Sequence, residues 1–205
     1  MKRVLPLIFF ICLLSLQSKG QEQFIPFLKS SYLPNCFAGL NHDQIDRLMT
    51  EFEIQADWTT FRVEYDRELD VLYLYSSNPC DDIHKVHLKH LFFEGDEFIM
   101  MYKERIPNSN TYGRLKAFKL QDEEYVRGRK IDVTWSSLFG FNERQIRRLE
   151  QVEQYPKYLL RFEHENIVFE VPWNIYSFEE GRDNDGFSMS GAKAPVRMPY
   201  SFFLR

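Results

Sequence analysis

The chain has 205 residues, 26 Lys+Arg against 30 Asp+Glu, a formal charge of -4, 44% hydrophobic and 27% charged residues. That is ordinary globular usage, which excludes wholesale disorder. The acidic balance excludes a phosphate backbone as main partner, because counterion release needs clustered Lys and Arg.

The first twenty residues fall into three parts. Lys2 and Arg3 are positive, Val4 to Leu16 is apolar apart from Pro6 and Ser15, and Gln17-Ser18-Lys19-Gly20 is polar with small residues at 18 and 20. This order predicts a secretory signal peptide over 1–20, cut between Gly20 and Gln21. The apolar run is shorter than the roughly 20 residues of a spanning helix. Cys12 lies within that run rather than after small residues at its end, so no lipid anchor is expected. Residues 21–205 are predicted to form a single domain, soluble once cleaved and secreted or periplasmic. The leader holds Lys2, Arg3 and Lys19 but no acid, so cleavage leaves 23 basic against 30 acidic residues and moves the charge to -7.

Export gives the cysteines a meaning. Without Cys12, Cys36 and Cys80 remain, an even number in an oxidising compartment, and a disulfide between them is predicted. Closing that loop is worth about 4 kcal/mol in the chain-entropy model.

Next comes an internal echo. Gly39-Leu40-Asn41-His42-Asp43-Gln44-Ile45-Asp46-Arg47-Leu48 matches Gly140-Phe141-Asn142-Glu143-Arg144-Gln145-Ile146-Arg147-Arg148-Leu149 at six of ten positions. Asn41 and Asn142 suit helix N-caps, with Gln44 and Gln145 three residues on to complete capping boxes. Ile45, Leu48, Met49 and Phe52, then Ile146, Leu149 and Val152, recur at helical spacing. A strand pair follows each helix: Phe61–Tyr65 with Val71–Tyr75, and Tyr158–Glu163 with Ile167–Val171. The spacing predicts two related helix–hairpin halves, 36–106 and 114–205, and the echo is too long-period for a solenoid.

Between the echoes, Lys85–Phe93 and Phe98–Ile106 read as a hairpin turning at Gly95-Asp96. Arg114–Leu120 and Lys130–Trp135 read as further strands, Glu179–Ala194 as a long surface loop, and Val196–Leu204 as a last edge strand. The predicted fold class is α+β: mostly antiparallel sheet with two amphipathic helices packed on it.

Candidate chemistry is sparse. His84, His87 and His90 follow Cys80, Asp81 and Asp82, but on a strand His84 and His90 share one face and His87 takes the other. His84, His90 and Asp82 are therefore weak metal candidates, and no zinc spacing accompanies them. Asp183-Asn184-Asp185-Gly186 fails the calcium-loop register, which would put Gly181 and Ala192 where carboxylates are needed. Ser188 and Ser190 lack the setting of a nucleophile elbow. Cys36 has Cys80 to oxidise it, and Glu64 and Glu163 fall at equivalent places in the two echoes as a conceivable carboxylate pair. No phosphate loop is found and no cofactor is expected. Arg127-Gly128-Arg129-Lys130 and Arg144–Arg148 are local basic stretches of a mixed-sign surface.

These readings predict an exported, non-enzymatic interaction protein whose partner is a protein or an envelope component, not nucleic acid. An acidic inhibitor or immunity-type binder of a basic partner is one form of it. The alternative is a small extracytoplasmic hydrolase with its site assembled across the sheet around His84, His90 and Asp82. A broad aromatic patch distinguishes the first reading, a pocket of histidines and carboxylates the second.

Overall fold

Asn41 ends an extended stretch and starts a helix by satisfying amides that the first turn leaves open. Its side chain accepts from the Gln44 amide, and the Gln44 side chain accepts from the Asn41 amide, each at 2.9 Å. This is the capping box the sequence predicts. The helix, α2 (His42–Glu51), buries Ile45, Leu48 and Met49. It stops at Phe52, whose left-handed backbone (φ 65°) redirects the chain into the first strand. Before it, a 3-10 turn at Glu22–Phe24 runs into a one-turn helix, α1 (Ile25–Leu28), which buries Phe27 and Leu28.

The computed structural model describes residues 20–33, 37, 39–78, 84–104, 114–127, 138–140, 143, 159–170 and 194–205. Seven strands form one antiparallel sheet in chain order: β1 (Glu53–Ala56), β2 (Thr59–Asp66), β3 (Val71–Ser77), β4 (His84–Phe93), β5 (Asp96–Lys103), β6 (Arg114–Gln121) and β7 (Glu124–Arg127). A second antiparallel sheet has β8 (Leu159–Phe162), β9 (Asn166–Glu170) and β10 (Val196–Pro199), with β9 in the middle. A final helical turn, α3 (Ser201–Leu204), buries Phe203.

The large sheet is covered on both faces, giving three layers. On one face α1, α2 and Phe37 cover Phe61, Val63, Leu72, Leu74, Val86, Leu88, Ile99 and Met101. On the other, β8–β10 and α3 bring Leu160, Phe162, Ile167, Phe169 and Phe203 onto Val71, Met100, Tyr102, Leu115 and Ala117. Two-sided burial explains why β5 reads as an unbroken run, Phe98-Ile99-Met100-Met101-Tyr102, all of it buried. β2 is covered on one side and alternates instead: Phe61 and Val63 buried, Arg62 and Glu64 exposed.

The mostly antiparallel sheet with helix packed on it stands, and several finer expectations need correction. The β4–β5 turn is Glu94-Gly95, not Gly95-Asp96: Phe93 pairs with Asp96, and Glu94 and Gly95 take φ of 53° and 89°. A type I′ turn needs positive φ at both central positions, and Gly95 supplies the second of them. The last strand ends at Pro199, which has no amide for a further ladder bond, and 201–204 is helical. Strand β1 was not expected. Of the two echoes, the first shows its helix and hairpin, while the second shows its hairpin β8–β9 in the smaller sheet. Of its helix only Glu143 is described, in helical conformation, and the strand at 130–135 and the loop at 179–193 lie outside the described residues. The boundary between the expected halves is crossed by backbone pairing, because β6 bonds along β5 from Phe98–Lys119 to Lys103–Arg114.

Candidate functional site

Register places two rungs of side chains on the open part of the sheet face that carries β8–β10. Arg62 pairs with Tyr75 and Tyr75 with Lys85; one step along, Glu64 pairs with Tyr73, Tyr73 with His87, and His87 with Tyr102. Directly paired side chains lie within contact distance. The Arg62 guanidinium sits 4.8 Å from the Tyr75 ring centre, and the Lys85 ammonium 5.0 Å from Tyr73 and 5.5 Å from Tyr75. Glu64 receives the Tyr75 hydroxyl at 2.9 Å and the Arg62 guanidinium at 3.0 Å. Both rings are thus held by a cation on the face and, for Tyr75, a carboxylate at the tip.

The far end of this patch is anchored in the core. The His87 ring meets Tyr73 and Tyr102 edge-on, with centres 5.0 and 5.4 Å away, and its Nε2 lies 2.9 Å from Glu104. Burial pulls the His87 pKa down against the opposing effect of Glu104. The ring is therefore neutral near pH 7, and the Glu104 contact makes Nε2 the protonated nitrogen. That N–H bond, more than any charge, holds the Glu104 carboxyl below its ordinary value. Burial, then the Glu64 hydrogen bond, pushes the Tyr75 hydroxyl up to about 12, and burial also raises Tyr73. Both phenols stay protonated donors. Tyr73 and Tyr75 are half-buried, Arg62 and Glu64 exposed. The arrangement offers a partner two immobilised tyrosine rings flanked by Arg62 and Lys85, of which Tyr and Arg are residue types that anchor interfaces.

A second polar cluster lies on the opposite, helix-covered face. His90 is 5% exposed, with Nε2 3.1 Å from Glu97 and Nδ1 3.6 Å from Asp70. Asp70 also accepts the Tyr65 hydroxyl at 2.7 Å and the Gln23 amide at 2.5 Å, and Glu97 accepts the Tyr125 hydroxyl at 3.0 Å. On the other face of β4, the one that carries β8–β10, Lys89 donates to the Leu69 carbonyl. Phe24 closes the cluster edge-on to both Tyr65 and His90. Burial lowers the pKa of His90, but its bonds to Asp70 and Glu97 outweigh that and raise it; Asp70 is held low by His90 and Tyr65 despite its own burial. His90 meets two carboxylates, Asp70 and Glu97, and the rings of Phe24 and Phe92. Through Gln23 and Phe24 the cluster fastens the N-terminal segment to the sheet.

The sequence-predicted residues are scattered. His84 and His90 share a face and His87 takes the other, as the strand period requires. Six residues along a strand separate His84 and His90 by about 20 Å, so they do not meet on one ion. Asp82, Cys36, Cys80, Asp183–Gly186 and Ser188 lie outside the described residues. Glu64 and Glu163 serve different neighbours: Glu64 takes Arg62 and Tyr75, while Glu163 takes Arg161 and Arg197, each at 3.3 Å. Among the described residues no helix is long and apolar enough to cross a membrane. Sequence reasoning passed over Tyr73 and Tyr75, although the alternation Tyr73-Leu74-Tyr75 marks one face of a strand. It also missed Glu97, which the hairpin turn places diagonally across from His90. Comparison with protein-family models, with curated proteins and with solved structures finds no match to this chain.

Proposed function

We propose that this chain is an exported, non-enzymatic binding protein, secreted or periplasmic, and that its partner, a protein or an envelope component, docks on the Tyr73–Tyr75 face. The observation that carries this reading is the pair of half-buried tyrosines locked between Arg62 and Lys85. Rigid aromatic and Arg groups give contact area with little ordering entropy left to lose. The charge of -7 after cleavage is consistent with a basic partner.

Two accompanying proposals concern the chain itself. The Cys36–Cys80 bridge is supported by the even cysteine count that remains once a leader carrying Cys12 is removed in an oxidising compartment. Descent of the two echoes from one helix–hairpin unit is supported by the shared hairpin that follows each.

The test is cross-linking in the culture fraction of the exported protein. Wild type is expected to yield one predominant partner whose cross-links map to β2–β4, and the double variant Tyr73→Ala/Tyr75→Ala is expected to lose it with its circular dichroism unchanged. Retention of the partner by that variant overturns the docking face. The hydrolase reading has one observation in its favour, His90 held between Asp70 and Glu97. It requires His90→Ala to abolish a hydrolytic activity of the purified protein.

A further inference from the structure

We infer that the mature N-terminus is closed as a pyroglutamate ring at Gln21 and that the folded protein buries this ring against the end of α2. The inference rests on the export reading, which frees the chain at Gln21.

In the uncleaved chain Gln21 is 3% exposed, whereas chain ends are ordinarily exposed unless tied down. Its side-chain amide donates to the Met49 carbonyl at 3.3 Å. Met49 lies in the last turn of α2, where carbonyls have no partner within the helix, so Gln21 acts as a C-terminal cap supplied from outside. Its amide oxygen is buried and finds no hydrogen bond among the described residues. The preceding residue leaves no slack: a Cβ at Gly20 would stand 2.6 Å from the Tyr65 ring.

Cleavage after Gly20 would create an α-ammonium group at this buried place. A charge removed from water needs a dedicated partner. The nearby carboxylate, Asp70, already receives Tyr65, Gln23 and His90. An N-terminal glutamine has a chemical way out. The unprotonated α-nitrogen attacks its own Cδ, forming the N–Cδ bond; the Cδ–Nε2 bond breaks and the amide nitrogen leaves as ammonia. The five-membered lactam is neutral, and it keeps one N–H to offer the Met49 carbonyl. No oxidant, reductant or second substrate enters. Ring closure takes place on the newly freed end, before α1 and its flanking turn dock and hide residue 21.

The experiment expresses the full chain in a secreting host and reads the N-terminal peptide of the exported protein by mass spectrometry. The expected peptide starts at residue 21, is lighter than free glutamine by one ammonia, and is blocked to Edman sequencing. Gln21→Ala is expected to give an unblocked end at the same cleavage site. Pyroglutamate aminopeptidase is expected to open the end of the denatured chain and to leave the native protein blocked. A peptide beginning at residue 21 with an intact glutamine amine overturns the cyclisation while upholding cleavage. A chain that begins elsewhere or retains its leader overturns the export site and this inference with it. Ready opening of the native protein overturns burial of the ring.

Discussion

His90 and Glu97 lie diagonally across the β4–β5 hairpin, Nε2 to Oε1 at 3.1 Å, and the same ring reaches Asp70 at 3.6 Å on its other side. One imidazole thus holds two carboxylates that would otherwise face each other in a half-buried site. Removing one partner of a fully buried pair costs about 3–5 kcal/mol. Asp70 and Glu97 keep some access to water, so His90→Ala is expected to lose about 2 kcal/mol. Urea unfolding checks it; a midpoint equal to wild type would contradict the role assigned to the ring.

The two buried histidines are expected to give stability opposite dependences on pH. His90 has its pKa raised on folding, so its contribution is full below the unfolded value and fades as pH rises through the folded one. His87 has its pKa lowered, so its contribution is full above the unfolded value and fades as pH falls through the folded one. Unfolded histidine titrates near 6.5, which sets the window at roughly pH 5.5 to 7.5. Over that range His90→Gln is expected to lose stability on acidification relative to wild type, and His87→Phe to gain it. Parallel curves for the two variants would refute the assignment.

Two tight turns each carry a glutamate, Glu94 and Glu123, poorly suited to its backbone. Glu94 has φ 53°, and Asp122 and Glu123 have 49° and 67°, a region where Asn and Gly are at ease. Glu94→Asn, and Asp122→Asn combined with Glu123→Gly, are each expected to stabilise by about 0.5–1 kcal/mol. Thermal unfolding reads the gain directly. Gly95→Ala is expected to act in the reverse direction by about 1 kcal/mol, since the space around it is open and only its φ of 89° resists a side chain.

The cap on α2 gives a local check. Asn41→Ala removes the acceptor for the Gln44 amide and is expected to cost about 1 kcal/mol. Gln44→Ala, which leaves that acceptor in place, is expected to cost less. Equal losses would mean the box is not what starts the helix.

What the sequence made legible is what local rules control. The capping box at Asn41, the alternation of β2 and the β4–β5 hairpin all depend on neighbours a few residues apart, and all were readable. β1 was not, because four residues between a helix end and a turn, Glu53-Ile54-Gln55-Ala56, carry too little period to distinguish. The turn at Glu94-Gly95 was displaced by one residue because Gly-Asp and Glu-Gly both satisfy composition, and only the Phe93–Asp96 register separates them. The second sheet depends on β9 meeting β10 across more than two dozen intervening residues, a pairing that no local signal records. The polar clusters follow the same division. His87 and His90 were assigned to opposite faces by period alone, but Asp70 reaches His90 from twenty positions away, and the Tyr73–Tyr75 platform emerges only once β2, β3 and β4 lie side by side.

The N-terminal segment is made first but packs on strands made much later. Phe27 packs against Phe118 and Tyr125, with ring centres 5.0 and 5.3 Å away, on strands that emerge roughly ninety residues later. The sheet beneath it is a meander whose every pairing joins consecutive strands, so it can zip up in order with small loop-closure penalties. Until β7 is in place, α1 has no complete floor to rest on. A chain threading outward through a narrow channel would thus carry its own brake on premature compaction, released when the final rib of the meander clears the exit.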